Sequence, residues 1–214
     1  MGAVVDILLL YLCLIIVITF HEAGHAWVAW KCGDPTAKSQ GRVSLNPIVH
    51  LDPVGTVALP LLALALAAGH SAFAGFIIGW GRPVPVNPRN LSRPRLHDSL
   101  ISLAGPGMNI ALAFLALLLG KGLLMAGSSL AITAVQLAQI SLFLGFFNLL
   151  PVPPLDGSHL LKHFTGMSDE RYFQIARYGF LIIILLIQIP AVLDLLDFAT
   201  MTTLRGMSVV MGLR

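Results

Sequence analysis

Charge is what this sequence has least of. Of its 214 residues, 11% are Asp, Glu, Lys or Arg, against about 25% in an average soluble domain. Residues 53–81, 99–120 and 122–155 carry none at all. Such a composition excludes a disordered chain, a coiled coil and an ordinary water-soluble enzyme. Cysteine is nearly absent as well. Cys13 lies inside an apolar run and Cys32 just past its end, which argues against a disulfide framework or a cysteine-based metal site. The formal net charge of +3 is too small and too scattered to suit nucleic acid, and no nucleic-acid-binding motif is present. There is no internal repeat and no low-complexity tract. Asp6 is the only early charge, so no basic region precedes the first apolar run and a cleavable signal is not expected.

What remains is apolar. Hydrophobic residues make up 57% of the chain, and the mean hydropathy is +0.85. A transmembrane helix needs about 20 predominantly apolar residues, and the sequence offers such stretches near 3–30, 98–119, 130–150 and 172–193. A further stretch, 54–80, is interrupted by Pro60, Gly69, His70, Gly75 and Gly79, which suits a hairpin or a re-entrant element. Trp27, Trp30 and Lys31 read as an interfacial belt with a cationic stop. The expectation is an all-α polytopic membrane protein with about five to six transmembrane or re-entrant helices. It forms one domain over 1–214, with a core over about 1–165 and an accessory segment near 172–196. Residues 31–53 are polar. Within them, 41–45 reads either as a small β element that could accept an unwound peptide by strand addition or as a plain re-entrant loop.

The chemistry is concentrated in His21-Glu22-Ala23-Gly24-His25. On a helix, positions i and i+4 share a face, so both imidazoles can bind one metal and the intervening glutamate can handle a water. Ionisable groups after a nearly pure apolar run are functional by default. Lys31 lies ten residues beyond His21, so about 15 Å of helix separates the site from the interface. Catalytic zinc takes three protein ligands and leaves one position open. Asp156 is the strongest third candidate. It follows the long charge-free run, in a break made by Pro151, Pro153 and Pro154 that prevents a regular helix. His159 and His163 are rivals. Asn109 and Asn148, neutral amides in apolar spans, are candidate donors to a developing oxyanion, with interhelical hydrogen bonding as the other reading. His50, His70 and His97 read as structural or interfacial.

His21-Glu22-x-x-His25, with Asn148-x-x-Pro151-x-Pro153-x-x-Asp156-Gly157 and Gly105-Pro106-x-x-Asn109, resembles the site-2 protease family of intramembrane zinc metalloproteases. The resemblance covers residues 1 to about 160 and implies a compact form without a PDZ-like insert or a nucleotide-sensing domain. It implies one zinc ion per chain held by His21, His25 and Asp156, with Glu22 as the catalytic base. The implied reaction is hydrolysis of a peptide bond within or near a substrate's transmembrane segment, so the expected partners are a transmembrane protein and the bilayer. The loops 31–53, 81–97 and 151–171 hold nine of the Lys and Arg residues, whereas the opposite loop holds only Lys121. The positive-inside rule puts that basic side, and the active site with it, toward the cytoplasm of a prokaryotic inner membrane. Two other readings stand beside this one. A divalent-metal pathway would need no Glu22 and should show a repeat; a catalytically silent relative would have no need of an intact base.

Overall fold

The computed structural model describes residues 3–60 and 79–212. The first apolar run is one helix, α1 (Ala3–Lys31). Its 29 residues span about 43 Å at 1.5 Å per residue, longer than the hydrocarbon slab, so its basic end reaches the interface. There the Lys31 and Lys38 ammonium groups lie 4.8 and 3.8 Å from the centre of the Trp30 ring. A short helix, α2 (Thr36–Ser39), follows. Next come α3 (Pro94–Met125) and α4 (Leu130–Asn148). Among the described residues, α1, α3 and α4 are long and apolar enough to cross a membrane. The chain is an integral, multi-pass, all-α membrane protein.

The last part of the chain departs from the expected single segment over 172–193. It is broken into α5 (Gly157–Thr165), α6 (Asp169–Ala176), α7 (Gly179–Leu186) and α8 (Pro190–Val210). α7 and α8 meet at 82° and together add at most one span. Pro190 opens α8 at a first-turn position, where its missing N–H costs nothing and its fixed φ suits the helix. Most of the expected 54–80 element, residues 61–78, lies outside the described residues, and His70 with it.

The helices pack through small residues. Ala113, Ala116 and Leu117 of α3 meet Ala138 and Leu142 of α4, and α8 closes this cluster with Leu204. A Cβ on Gly24 of α1 would come within 2.8 Å of the Ala104 carbonyl of α3, so α1 and α3 approach backbone to backbone. In lipid, such close van der Waals contact replaces the hydrophobic effect as the driving force for helix association.

No strand forms among the described residues, which corrects the β reading of 41–45. Gly41 turns the chain at φ +70, the Arg42 amide donates to the Ala37 carbonyl, and His50 Nε2 donates to the Ser44 carbonyl at 2.8 Å. These local bonds leave no alternating edge for a neighbour. Among the described residues, the one extended pairing is an isolated antiparallel bridge between Leu51 and Gly81. The loop is instead stitched by Asp34, whose side chain accepts from the Thr36 amide and hydroxyl, the Asn90 carboxamide and the Asn87 amide at 2.5–3.1 Å. Burial raises the Asp34 carboxyl, but these four bonds outweigh it and hold the group below the usual carboxylate range. Its stabilisation is therefore present above the ordinary carboxylate value and is lost as pH falls through the lowered one. Asp34→Ala should cost about 1–3 kcal/mol through its stranded donors. Thermal unfolding in detergent measures this, and an unchanged midpoint would count against the stitch.

Candidate metal centre

The helical period of α1 sets His21 and His25 one turn apart, with their ring centroids at 4.6 Å. Both are buried, at 6% and 8% exposure. The third group arrives from the other end of the sequence. After α4 ends at Asn148, tight turns from Val152 N to Leu150 O and from Leu155 N to Val152 O carry the proline-rich segment back toward α1. Gly157 is required there, because a Cβ would collide with the Leu149 carbonyl. Asp156 stands at the head of α5 without capping it, so its carboxylate is free to face α1.

His21 Nε2, His25 Nε2 and Asp156 Oδ2 converge. The nitrogens are 3.1 Å apart, and they lie 3.2 and 3.4 Å from the oxygen. These three residues form the one such group among the described residues. Ligands about 2.0–2.2 Å from a common ion at tetrahedral angles stand about 3.3–3.6 Å apart; the separations here are at or slightly below that range, so a small outward shift of the side chains fits a zinc ion. His25 Nδ1 is 2.7 Å from the Ile101 carbonyl. It must donate there, which leaves Nε2 bare toward the centre. Asp156 Oδ2 is buried without a hydrogen-bond partner, an orphan that a cation would satisfy.

The two asparagines, expected as oxyanion donors or interhelical hydrogen bonders, each make a contact inside the bundle. Asn109 is fully buried, and its carboxamide is 3.2 Å from His21 Nδ1. The atom placed there is Nδ2, while Oδ1 has no partner; turning the amide over, which keeps its shape, would let Oδ1 accept Nδ1–H and leave Nε2 free for metal. Asn148 donates to the Leu144 carbonyl of its own helix at 3.0 Å, a bond within the helix rather than between helices. His159 and His163, the rival ligands, both point to Asp98 instead, at 3.0 and 2.6 Å.

Glu22 lies beside the cluster, its side chain 13% exposed and 4.0 Å from the Arg42 guanidinium. The Gly81 backbone passes over it: a Cβ there would come within 3.2 Å of Glu22 Oε1. Arg42 is itself buried and also donates to the Arg82 carbonyl. Sequence reasoning counted Arg42 only as a loop cation. Its one local signal is the glycine before it, and nothing in the spacing ties it to Glu22.

A paired-histidine helix with an intervening glutamate and a distant carboxylate, set in a membrane-spanning bundle, defines a metallohydrolase centre. The comparisons with known proteins agree. The model of Peptidase family M50 matches residues 123–187. A Bacillus subtilis protein, provisionally named zinc metalloprotease YwhC, is 40% identical over 190 residues, covering 85% of this chain and 80% of that one. A Mycolicibacterium smegmatis protein, provisionally named zinc metalloprotease Rip2, is 32% identical over 80% of this chain and 63% of its own length. No solved structure makes a significant match. The chain belongs to peptidase family M50, the site-2 protease family, and is a zinc metalloprotease.

Gly105 of α3 faces the centre so closely that a Cβ would overlap His25 Nε2 and crowd His21 Cε1. Gly105→Ala should therefore displace the imidazoles and weaken zinc binding at least tenfold. Gly107→Ala, whose Cβ meets nothing within 4 Å, should bind as the wild type does. Chelator competition on the purified protein distinguishes them, and equal affinities would contradict the packing.

Proposed function

We propose that the protein hydrolyses a peptide bond within or near a transmembrane segment of a membrane-protein substrate, with one zinc ion held by His21, His25 and Asp156. The observation that carries this reading is the convergence of three lone-pair atoms beside a glutamate, about 15 Å along α1 from its cationic end. Zinc bound there supplies Lewis-acid activation of a water and of the scissile carbonyl.

The rest falls to the chain. Glu22 takes a proton from the attacking water on a carboxylate oxygen and returns it to the leaving amide nitrogen. Arg42, 4.0 Å away, and the Gly81 backbone limit where that carboxylate can point. Ile101 and Asn109 hold the imidazoles by their outer nitrogens. A helical substrate hides its amides in internal hydrogen bonds, so it must unwind locally before attack. The excess of basic residues in the loops on the site's side favours an orientation with the site toward the cytoplasm.

Glu22→Gln keeps the shape and removes the base. Zinc content should stay at the wild-type level while cleavage of a transmembrane reporter in proteoliposomes falls by about 10²–10⁴-fold. Mass spectrometry of the products reads the cut position. Full turnover by Glu22→Gln would overturn the assignment of the base.

A further inference from the structure

A second polar cluster lies one turn beyond Asp156. Asp98, in the first turns of α3, presents a single oxygen to two imidazoles of α5: Oδ2 is 3.0 Å from His159 Nδ1 and 2.6 Å from His163 Nε2. All three side chains are substantially covered, at 22%, 34% and 18% exposure for Asp98, His159 and His163. These are hydrogen-bond distances to one shared acceptor. The carboxylate oxygen occupies the centre that an ion would need, and the cluster is not among the converging donor sets of the described residues. The far side of α5 is held by α6. The Tyr172 hydroxyl is 2.9 Å from Ser158 Oγ, its ring packs on His159 with centroids 5.2 Å apart, and Lys162 pairs with Asp169 at 2.6 Å.

Asp156 makes no capping bond to α5 and no hydrogen bond through Oδ2. Its position thus depends on where α5 is held. We propose that Asp98 is a positioning residue for the metal centre: acting through His159 and His163, it clamps α5 to α3 and fixes the depth and rotation at which Asp156 meets His21 and His25. This rests on the reading of Asp156 as a zinc ligand. Its support is that α3 already orients the other two ligands. The Ile101 carbonyl lies 2.7 Å from His25 Nδ1 and the Asn109 carboxamide 3.2 Å from His21 Nδ1, while Gly105 lies against both rings. Positions 98, 101, 105 and 109 follow one another at three or four residues, so they form one stripe on one face of the helix. The clamp supplies the third ligand's tie to that stripe, one shell further out than the other two.

The test is zinc affinity of the full chain in detergent, by competition with a chromophoric chelator, together with the visible spectrum of the cobalt-loaded protein. Asp98→Asn is isosteric and loses the charge and one acceptor. It should weaken zinc binding about 10–100-fold and shift the cobalt bands. The His159→Ala, His163→Ala pair should lose a similar amount, and adding Asp98→Asn to it should cost little more, because all three changes remove one interaction. Asp169→Asn breaks the exposed α5–α6 ion pair and should leave affinity and spectrum unchanged. If Asp98→Asn fails to fold, His163→Gln takes its place with the same expectation. Zinc affinity within twofold of wild type and superimposable cobalt bands in the folded variant would overturn the clamp. Wild-type affinity in Asp156→Ala would instead remove the ligand reading, and the clamp with it.

Discussion

Two imidazole nitrogens and one carboxylate oxygen lie within 3.4 Å of one another in a bundle whose surroundings are lipid. Convergence of three lone-pair atoms away from bulk water is costly unless a cation joins them, and much of the architecture can be read as the means of enforcing it. α1 supplies two atoms by helical periodicity alone. The third comes from a segment that cannot be helical, because three prolines interrupt it. α3 holds the arrangement through a stripe of four residues, and small residues at Gly24 and Gly105 bring α1 and α3 close enough for that stripe to act.

The same constraint explains where charge is tolerated. Ionisable groups that lie close to the spans have partners. Arg42 finds Glu22, Asp98 finds two histidines, and Asp34 is surrounded by four donors at the loop junction. Each is buried or partly buried, and each ties a loop or short helix to a spanning helix or to another loop. Away from water, an unpaired group of this kind costs far more than at an open surface, so these partnerships fix the loops as firmly as packing fixes the spans.

Much of this was legible in the sequence. The long apolar runs at α1, α3 and α4 left no other solvent than lipid. His21, Glu22 and His25 declare themselves by spacing within one helix, and Asp156 stands out because the preceding thirty and more residues carry no charge. What was not legible depends on distance along the chain. Asp98 and His163 are 65 residues apart, and no local pattern pairs them; His159 and His163 therefore read as rival ligands. Arg42 and Glu22 lie on a loop and on a spanning helix, 4.0 Å apart, and no local pattern pairs them. α8 was missed because Asp194, Asp197 and Arg205 dilute its apolar face, and the 82° break before it hides where one segment ends. Of the two readings of 41–45, the β element fails because β-type residues need a neighbouring edge, and here the backbone bonds are spent locally. Asn109 and Asn148 show the limit of composition: both are amides in apolar helices, and only packing reveals that one serves His21 and the other its own helix.

The most direct measurement is the zinc content of purified, metal-replete wild type and of Asp156→Ala. Near one zinc per chain in the wild type and a large loss in the variant is the predicted result, since two imidazoles alone leave the ion short of its third protein ligand. Undiminished zinc in Asp156→Ala, or none in the wild type, would contradict the convergence on which the account depends.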